Sequence, residues 1–510
     1  MKKLLFLIIL IIAAALPAVP YYIGMQVEET FRTEHQEAAN DAALSGFDVE
    51  LVDYQRGLIE SSAITRVSIA VPEGQESISV DFRHQISHIP QLDQQVLATV
   101  NSSLALSSEA SRALNPLFKG QSPLTIKTRI YLDGHQEGSI SSPVAQGQLV
   151  GEKEKIDIDW KGLTGTAWQA SARDRVTFKL YLPGLSASPV RSAPSTDEAT
   201  AGKEIAENTT EQPVEELAEN TSGEDSESVV EESVAPSESI AFTELRYTGD
   251  LTRGESGIWH GTAEGSISSV AVNVVEGGSP FSILINSINL NGEQSENNGL
   301  IKAGGAVSAN SINVNGFMLS NAVYDVAVAN IDANALLAWQ QSTAQMMKGT
   351  ADPEKMFEPL FAQIPALFKA KPIIRFKDIS VDSPMGRFAL KLDTRVTGEW
   401  DEMILQNPAL IVPMLKIDLE ANVPRSVVAA MLKDKIRDTL LMQAALSETE
   451  INAEELEATV ELTVNQQLAG MIAQGLIKEE GAQLHSQVQF NKGQLMVNGI
   501  DASAMLGGMM

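Results

Sequence analysis

The chain contains no cysteine. That excludes disulfides, thiolate metal sites, a cysteine nucleophile and the lipid-carrying cysteine of a bacterial lipoprotein. Also missing are a Gly-x-Ser-x-Gly elbow, a phosphate-binding Gly-Lys-Ser/Thr loop and a dinucleotide fingerprint. Positive charge is scarce: 37 Lys and Arg face 66 Asp and Glu, so the net charge is −29. Such a surface repels nucleic acid and anionic lipid head groups, and no nucleic-acid partner is expected. Part of the acidity is local, because Val190 to Ser239 holds 14 acidic residues against Arg191 and Lys203, but most of it is spread over the rest of the chain. No Phe, Tyr or Trp occurs between 185 and 239. A segment so poor in apolar side chains cannot offset its ordering entropy, and the expectation is a disordered acidic linker over 185–239.

Histidine is equally sparse, at positions 35, 84, 88, 135, 260 and 485. Only His84 and His88 are close, in His84-Gln85-Ile86-Ser87-His88. A zinc protease needs H-E-x-x-H on a helix, with the Glu as base. Here Gln85 holds the Glu position, and Val80, Phe82, His84, Ile86 and His88 alternate as in a strand. Four strand residues place the rings about 13 Å apart, too far for one ion. The two are read as hydrogen-bonded structural histidines, with no metal and no cofactor.

The N-terminus is rich in what the rest lacks. Met1-Lys2-Lys3 precedes twenty uncharged residues, Leu4 to Ile23. At 1.5 Å each they reach roughly the 30 Å of a bilayer core. A small-residue cleavage site exists at Ala13-Ala14-Ala15, but the apolar run continues past it to Tyr21-Tyr22, residues suited to a membrane interface. Length favours a retained anchor over a cleaved signal, with the lysines cytoplasmic and the remainder exported.

Residues 26 to 46 predict a helical stalk leaving the membrane. Beyond it the period becomes two. Strands are expected at Phe47–Leu51, Ile64–Val71, Val80–His88, Leu124–Ile126, Ile130–Leu132, Ile156–Ile158 and Val176–Leu182, the last ended by Pro183-Gly184. One or two helices are expected within Leu92–Phe118. After Ile240 strands recur, with Asn291-Gly292 and Asn315-Gly316 read as hairpin turns, and Gly277-Gly278 and Gly304-Gly305 as turns. Asp332–Lys369 reads as a helical block with the stripe Met356, Phe357, Leu360, Phe361, Ile364, Leu367 and Phe368. Met346, Met347, Met356, Met403 and Met414 read as ordinary core rather than an adaptable groove. Helices are predicted at Arg425–Leu446 and Glu454–Ile477, then a closing hairpin through Asn491-Lys492-Gly493 and Asn498-Gly499 and a frayed tail from Leu506. The fold class is therefore α+β, β-rich: extended antiparallel meander sheets with packed helices and an N-terminal transmembrane helix. The expected divisions are 1–24 (anchor or signal), 25–184 (β-rich with the stalk), 185–239 (acidic linker) and 240–505 (β-meander with helical insertions).

Tyr54-Gln55-Arg56-Gly57-Leu58-Ile59-Glu60-Ser61 resembles the aromatic-x-Arg-Gly-apolar-x-x-Ser signature of the YdgA/YihF family of exported, membrane-anchored bacterial proteins. His84-Gln85-Ile86-Ser87-His88-Ile89-Pro90 is similar to its second landmark, with Ile89 in place of the usual Gly. Gly493-Gln494-Leu495-Met496-Val497-Asn498-Gly499 matches its closing hairpin. The resemblance implies an inner-membrane anchor, a periplasmic β-rich body and self-association as a homodimer, and carries no catalytic residues. Tyr54, Arg56, Gly57, Ser61, His84, His88, Pro90, Gly493 and Gly499 are the positions concerned, and their expected role is structural. Function is expected to be binding without catalysis, either to a second copy or to a lipid or other apolar envelope component. The alternatives are an exported hydrolase with a scattered carboxylate site, and a secreted adhesin-like protein.

Overall fold

The computed structural model describes residues 2–43, 47–69, 78–150, 155–190, 238–276, 279–347, 358–399, 401, 403–406, 408–446 and 452–504, with residues 2–20 described as helical backbone alone. Most of the acidic segment (191–237), Val71, Gly277-Gly278, Met356-Phe357, the side chains of Met346 and Met347, and the tail from 505 lie outside them.

The chain opens with one helix, α1 (Lys2–Ala43), followed by strands that pair antiparallel, most with the next in sequence. β1 (Phe47–Arg56), β2 (Glu60–Ile69), β3 (Ile78–Ser87), β4 (Val96–Ala105), β5 (Thr125–Tyr131) and β6 (Gln136–Ser142) form the first run. β7 (Ala145–Val150) pairs with β8 (Lys155–Trp160), and β9 (Leu163–Gln169) returns to β6. β10 (Arg175–Pro189) joins both groups, taking β9 along its first half and β8 along its second.

The other edge of β10 pairs with β11 (Ser239–Arg253). The meander then continues through β12 (Trp259–Glu276), β13 (Ser279–Asn297), β14 (Leu300–Val314), β15 (Phe317–Asp332), β16 (Ile373–Ser383), β17 (Gly386–Val396) and β18 (Leu415–Pro424). β18 pairs with β20 (Gln483–Asn491), whose far edge carries β19 (Lys478–Glu480) and β21 (Gln494–Val497), and β22 (Ile500–Asp501) ends the order. The result is one large antiparallel sheet with a few helices.

Several expectations change. The sheet crosses the acidic segment without a break, since Ala187 pairs with Ile240 and Leu185 with Phe242. Residues 185–189 are strand, not linker, and Pro183-Gly184 does not end β10. Pro183 falls between Tyr181, the last partner of β9, and Leu185, the first partner of β8, so its missing N–H costs no ladder bond there. The first half of the helical region expected at Leu92–Phe118 is β4, whose Val96, Ala98 and Val100 alternate inward; the helix is only Ser108–Phe118. Asn291-Gly292 and Gly304-Gly305 lie inside β13 and β14, with Gly292 opposite Gly305. Their backbones do not take positive φ; the hairpin turns fall at Asn298-Gly299 and Asn315-Gly316, which do.

The alternation also breaks in a regular way. Pro183, Glu244, Ser268, Ser287, Asn310 and Asn321 drop out of the pairing in line across β10 to β15. In alternate strands the omitted residue is left-handed, with φ of 52° at Glu244, 54° at Ser287 and 51° at Asn321. The omitted residues stand opposite one another, so the register does not shift, but each strand gains one residue there and its face parity is reset. Apolar residues three apart (Phe242 and Leu245, Ile285 and Ile288, Ile312 and Ala309) therefore share one face. That face is apolar over row after row: Leu185, Phe242, Val270, Ile285, Ile312 and Leu319 stand opposite one another across six strands.

Buried core gathers in three places. One lies between α1 and β1–β5, around Ile23, Val27, Phe31, Ile86 and Val100. A second holds the helix pair Arg425–Leu446 and Ala453–Ala473 against Leu484. The third caps one end of β12–β15, where Ile258 and Ile301 meet Ala333 of the helix Ala333–Met347. Met403 is exposed, whereas Met414 packs at Gly398.

Candidate functional site

Residues 26–43 are helical as expected, but they are not a free stalk. Ile23, Val27, Phe31 and His35 recur every four residues, so they form one stripe of α1. Ile23, Val27 and Phe31 are buried against the sheet. Chain geometry demands this arrangement: β1 returns along α1, which brings the β1–β2 turn back beside the helix near residue 21. Seven of the nine resemblance positions meet there. Arg56 reaches α1, its guanidinium 5.1 Å from the Tyr21 ring centroid and 3.4 Å from the Glu28 carboxylate. The Tyr54 ring lies 5.7 Å from that of Phe31.

Gly57 supplies space rather than positive φ, because a Cβ there would sit 2.1 Å from the Glu60 carbonyl oxygen. Its amide donates to buried Ser61 Oγ at 3.4 Å. His88, just past the end of β3, is fully buried against Gly24, where a Cβ would come within 2.6 Å of His88 Nδ1. Pro90 follows in the same loop. Gly493 and Gly499 are elsewhere, at φ of 81° and 82° in the turns flanking β21.

The histidine expectation divides. His84 is hydrogen-bonded, but neither ring nitrogen of His88 has a partner among the described residues. His84 Nδ1 lies 2.7 Å from Ser102 Oγ and Nε2 lies 2.8 Å from Thr65 Oγ1. Thr65 Oγ1 also lies 2.6 Å from His35 Nε2, and His35 Nδ1 lies 2.9 Å from the Phe31 carbonyl. Burial favours the neutral form of both rings. With both neutral, the carbonyl, which only accepts, assigns every proton: His35 Nδ1–H donates to Phe31, Thr65 O–H to His35, His84 Nε2–H to Thr65, and Ser102 O–H to His84. Burial pushes His84 down to about 4, with nearby His35 adding to the shift, and burial also lowers His35. Burial, then Arg56, lowers His88.

Further along, α1 is held by charge. Glu34 bonds to Gln136 and, with Glu37, pairs with Arg173; Asp41 meets Arg253 at 3.3 Å and accepts from Trp259 Nε1 at 3.1 Å. These groups line a cavity of about 360 Å³ with His35, His84 and Ser102. Burial raises the Glu34 carboxyl, against the pull of Arg173. As chemistry, Ser102–His84 is a serine–histidine pair. Its imidazole is backed by a threonine hydroxyl instead of a carboxylate, and a base with pKa of about 4 is weak. Among the described residues no group of three His, Asp or Glu side chains could hold a metal.

The second candidate is the apolar face. One row across it is small: Gly249, Ala263, Gly292 and Gly305 stand opposite one another, between Phe178 at one end and Val326 and Phe376 at the other. Gly265 and Gly261 widen this floor on β12. The bordering Leu290 and Val326 are half-buried, and Tyr247 and Val307 are exposed. Of these glycines the sequence pattern marked only Gly292 and Gly305, and it marked them as turns.

A helix clasped lengthwise to the start of a long β-meander with an open apolar face defines the class. The chain belongs to the family described as "Bacterial protein of unknown function (DUF945)", whose model matches residues 1–504. No curated protein and no solved structure matches it.

Proposed function

We propose that this is a YdgA/YihF-like envelope protein, anchored in the bacterial inner membrane by the apolar start of α1, with its body in the periplasm, and that it binds the acyl part of a lipid along the small-residue row. One observation carries the reading: the apolar face of β10–β15, whose central rows are half-buried rather than packed as core. From β11 to β15 the row spans four inter-strand steps, about 19 Å at ~4.8 Å each. That is comparable with the ~15 Å that one leaflet's acyl chains occupy. The row itself is built of glycine, alanine and valine, as suits a hydrocarbon.

The anchor reading rests on the uncharged run from Leu4, since among the described residues no helix is long and apolar enough to cross a membrane. Burial of Ile23 and Gly24 in the clasp ends the proposed span at Tyr22. The test is to purify the full chain from membranes and identify co-purifying lipid by mass spectrometry. Wild type is expected to carry lipid and a Gly292→Trp, Gly305→Trp double variant to lose it, while Asn289→Trp on the opposite face retains it. A folded wild-type chain with no lipid rejects the reading.

A hydrolase working from the clasp cavity is the second reading, favoured by the raised Glu34 carboxyl beside His84 and Ser102. It requires ester or amide turnover that Glu34→Gln and Ser102→Ala abolish without loss of fold. Dimerisation is a third outcome, and the outer edge of β1, which has no ladder partner among the described residues, is the place for strand addition. Mass measurement in detergent decides it.

A further inference from the structure

Three hairpin ends stand side by side where α1 first touches the sheet: the β1–β2 turn (57–59), the β3–β4 loop (88–95) and the β5–β6 turn (132–135). They are tied to one another by backbone, His88 N–H donating to the Ile59 carbonyl at 2.8 Å and Leu132 N–H to the Gln95 carbonyl at 2.9 Å. Each presents large apolar side chains to solvent: Leu58 and Ile59 on the first, Ile89 and Leu92 on the second, Leu132 on the third. Leu92 is 73% exposed, which no core role explains. Tyr21 and Tyr22 of α1 are exposed at the same end, Tyr21 under Arg56.

We propose that these three tips form a platform seated in the interfacial layer of a lipid bilayer. The inference rests on the anchor reading above and adds to it a second, separate membrane contact. The occupant follows from continuity of the chain. α1 passes the platform as one helix and continues from Tyr22 back to Lys2 with no charge between residues 4 and 22. Whatever apolar medium surrounds that run also borders the tips, because Gly24 is locked against His88, and the amide of His88 bonds to Ile59. Tyr21 and Tyr22 fall at the depth where amphipathic rings favour the headgroup boundary. The two contacts together fix orientation. β1–β6, which run alongside α1, then point away from the membrane rather than lie along it.

The absence of native cysteine makes the test clean. Full-length chains carrying Leu58→Cys, Leu92→Cys or Leu132→Cys, each labelled with an environment-sensitive fluorophore, are reconstituted into phosphatidylethanolamine–phosphatidylglycerol vesicles with nitroxide at shallow acyl depth. Val150→Cys, exposed on β7 away from the platform, is the reference. The expected result is blue-shifted emission at 58, 92 and 132, with quenching at least twofold greater than at 150. Labels at these sites as wet as at 150, on chains that float with the vesicles, overturn the platform alone. Chains that do not float overturn the anchor reading and the platform with it.

Discussion

His35 and His84 share one hydroxyl. Thr65 Oγ1 donates to the first and accepts from the second, joining α1, β2 and β3 through a single side chain. Thr65→Val leaves a buried N–H and a buried ring nitrogen unpartnered, at ~1–3 kcal/mol each. The expected loss is about 3 kcal/mol by urea denaturation, with Thr65→Ser close to wild type. Equal stability of the two variants would refute the shared-hydroxyl account.

The same pair sets a pH dependence. His84 is held near 4 in the folded state against 6.5 unfolded, and His35 is also lowered. The unfolded chain therefore binds more protons in acid. This stability is complete above 6.5 and is lost as pH falls toward about 4. For His84 alone that is on the order of 3 kcal/mol. Glu34, raised in the folded state, gains a proton on folding and works in the opposite sense, and Arg173 facing it limits that offset. Protection factors of the amides in residues 23–35, corrected for the intrinsic pH dependence of exchange, are expected to fall between pH 7 and pH 4.5, and less so in His84→Gln.

Gly24→Leu forces a branched side chain into the space of the His88 ring. Overpacking of this kind costs about 1–3 kcal/mol. Arg56→Ala removes only a partly exposed ion pair and a ring contact, worth at most about 1 kcal/mol. Thermal melts should rank Gly24→Leu as the worse, and His88→Ala should restore much of the loss.

Ser287 occupies a left-handed, unpaired position on β13, where a β-branched residue is strained. Ser287→Val is expected to cost ~1–2 kcal/mol and Ser287→Gly nothing. A neutral valine would mean that this position can relax without disturbing the rows on either side.

Joining β10 to β11 directly is expected to be harmless. For a connection with the disordered character expected from the composition of 185–239, each halving of length recovers about 0.6 kcal/mol of closure entropy. Replacing residues 191–237 with a six-residue Gly-Ser link should raise stability by about 2 kcal/mol by urea titration. A fall instead would show that the acidic segment contributes to the fold.

Local signals in the chain were reliable where one element answers to one pattern. Arg425–Leu446 is a helix over the expected span, and Asn491-Lys492-Gly493 is the turn that its positive φ values at Lys492 and Gly493 require. Failures have specific causes. The left-handed, unpaired Ser287 made β13 look like two strands, because Ile285 and Ile288 are three apart. β6 (Gln-Glu-Gly-Ser-Ile-Ser-Ser) lies between other strands but carries almost no apolar alternation, so pattern alone passed over it. Gly304-Gly305 signalled a turn where the backbone is extended. The clasp was hidden for another reason: its partners lie 30 residues apart at His35–Thr65 and 218 apart at Asp41–Trp259. Even so, the four-residue spacing of Ile23, Val27, Phe31 and His35 was a readable sign that this helix faces a surface.

The pairing order has a consequence for assembly. Nearly every ladder joins neighbours in sequence, so a chain delivered from its N-terminus can add hairpins one at a time, each templated by the last. Among the described residues, only β6 with β9, β8 with β10 and β18 with β20 must wait for later residues. Early closure of such local loops keeps the search short and leaves few strand edges bare at any moment. Beside the outer edge of β1, the growing end stays a sticky edge until β20 arrives and the last short strands blunt it.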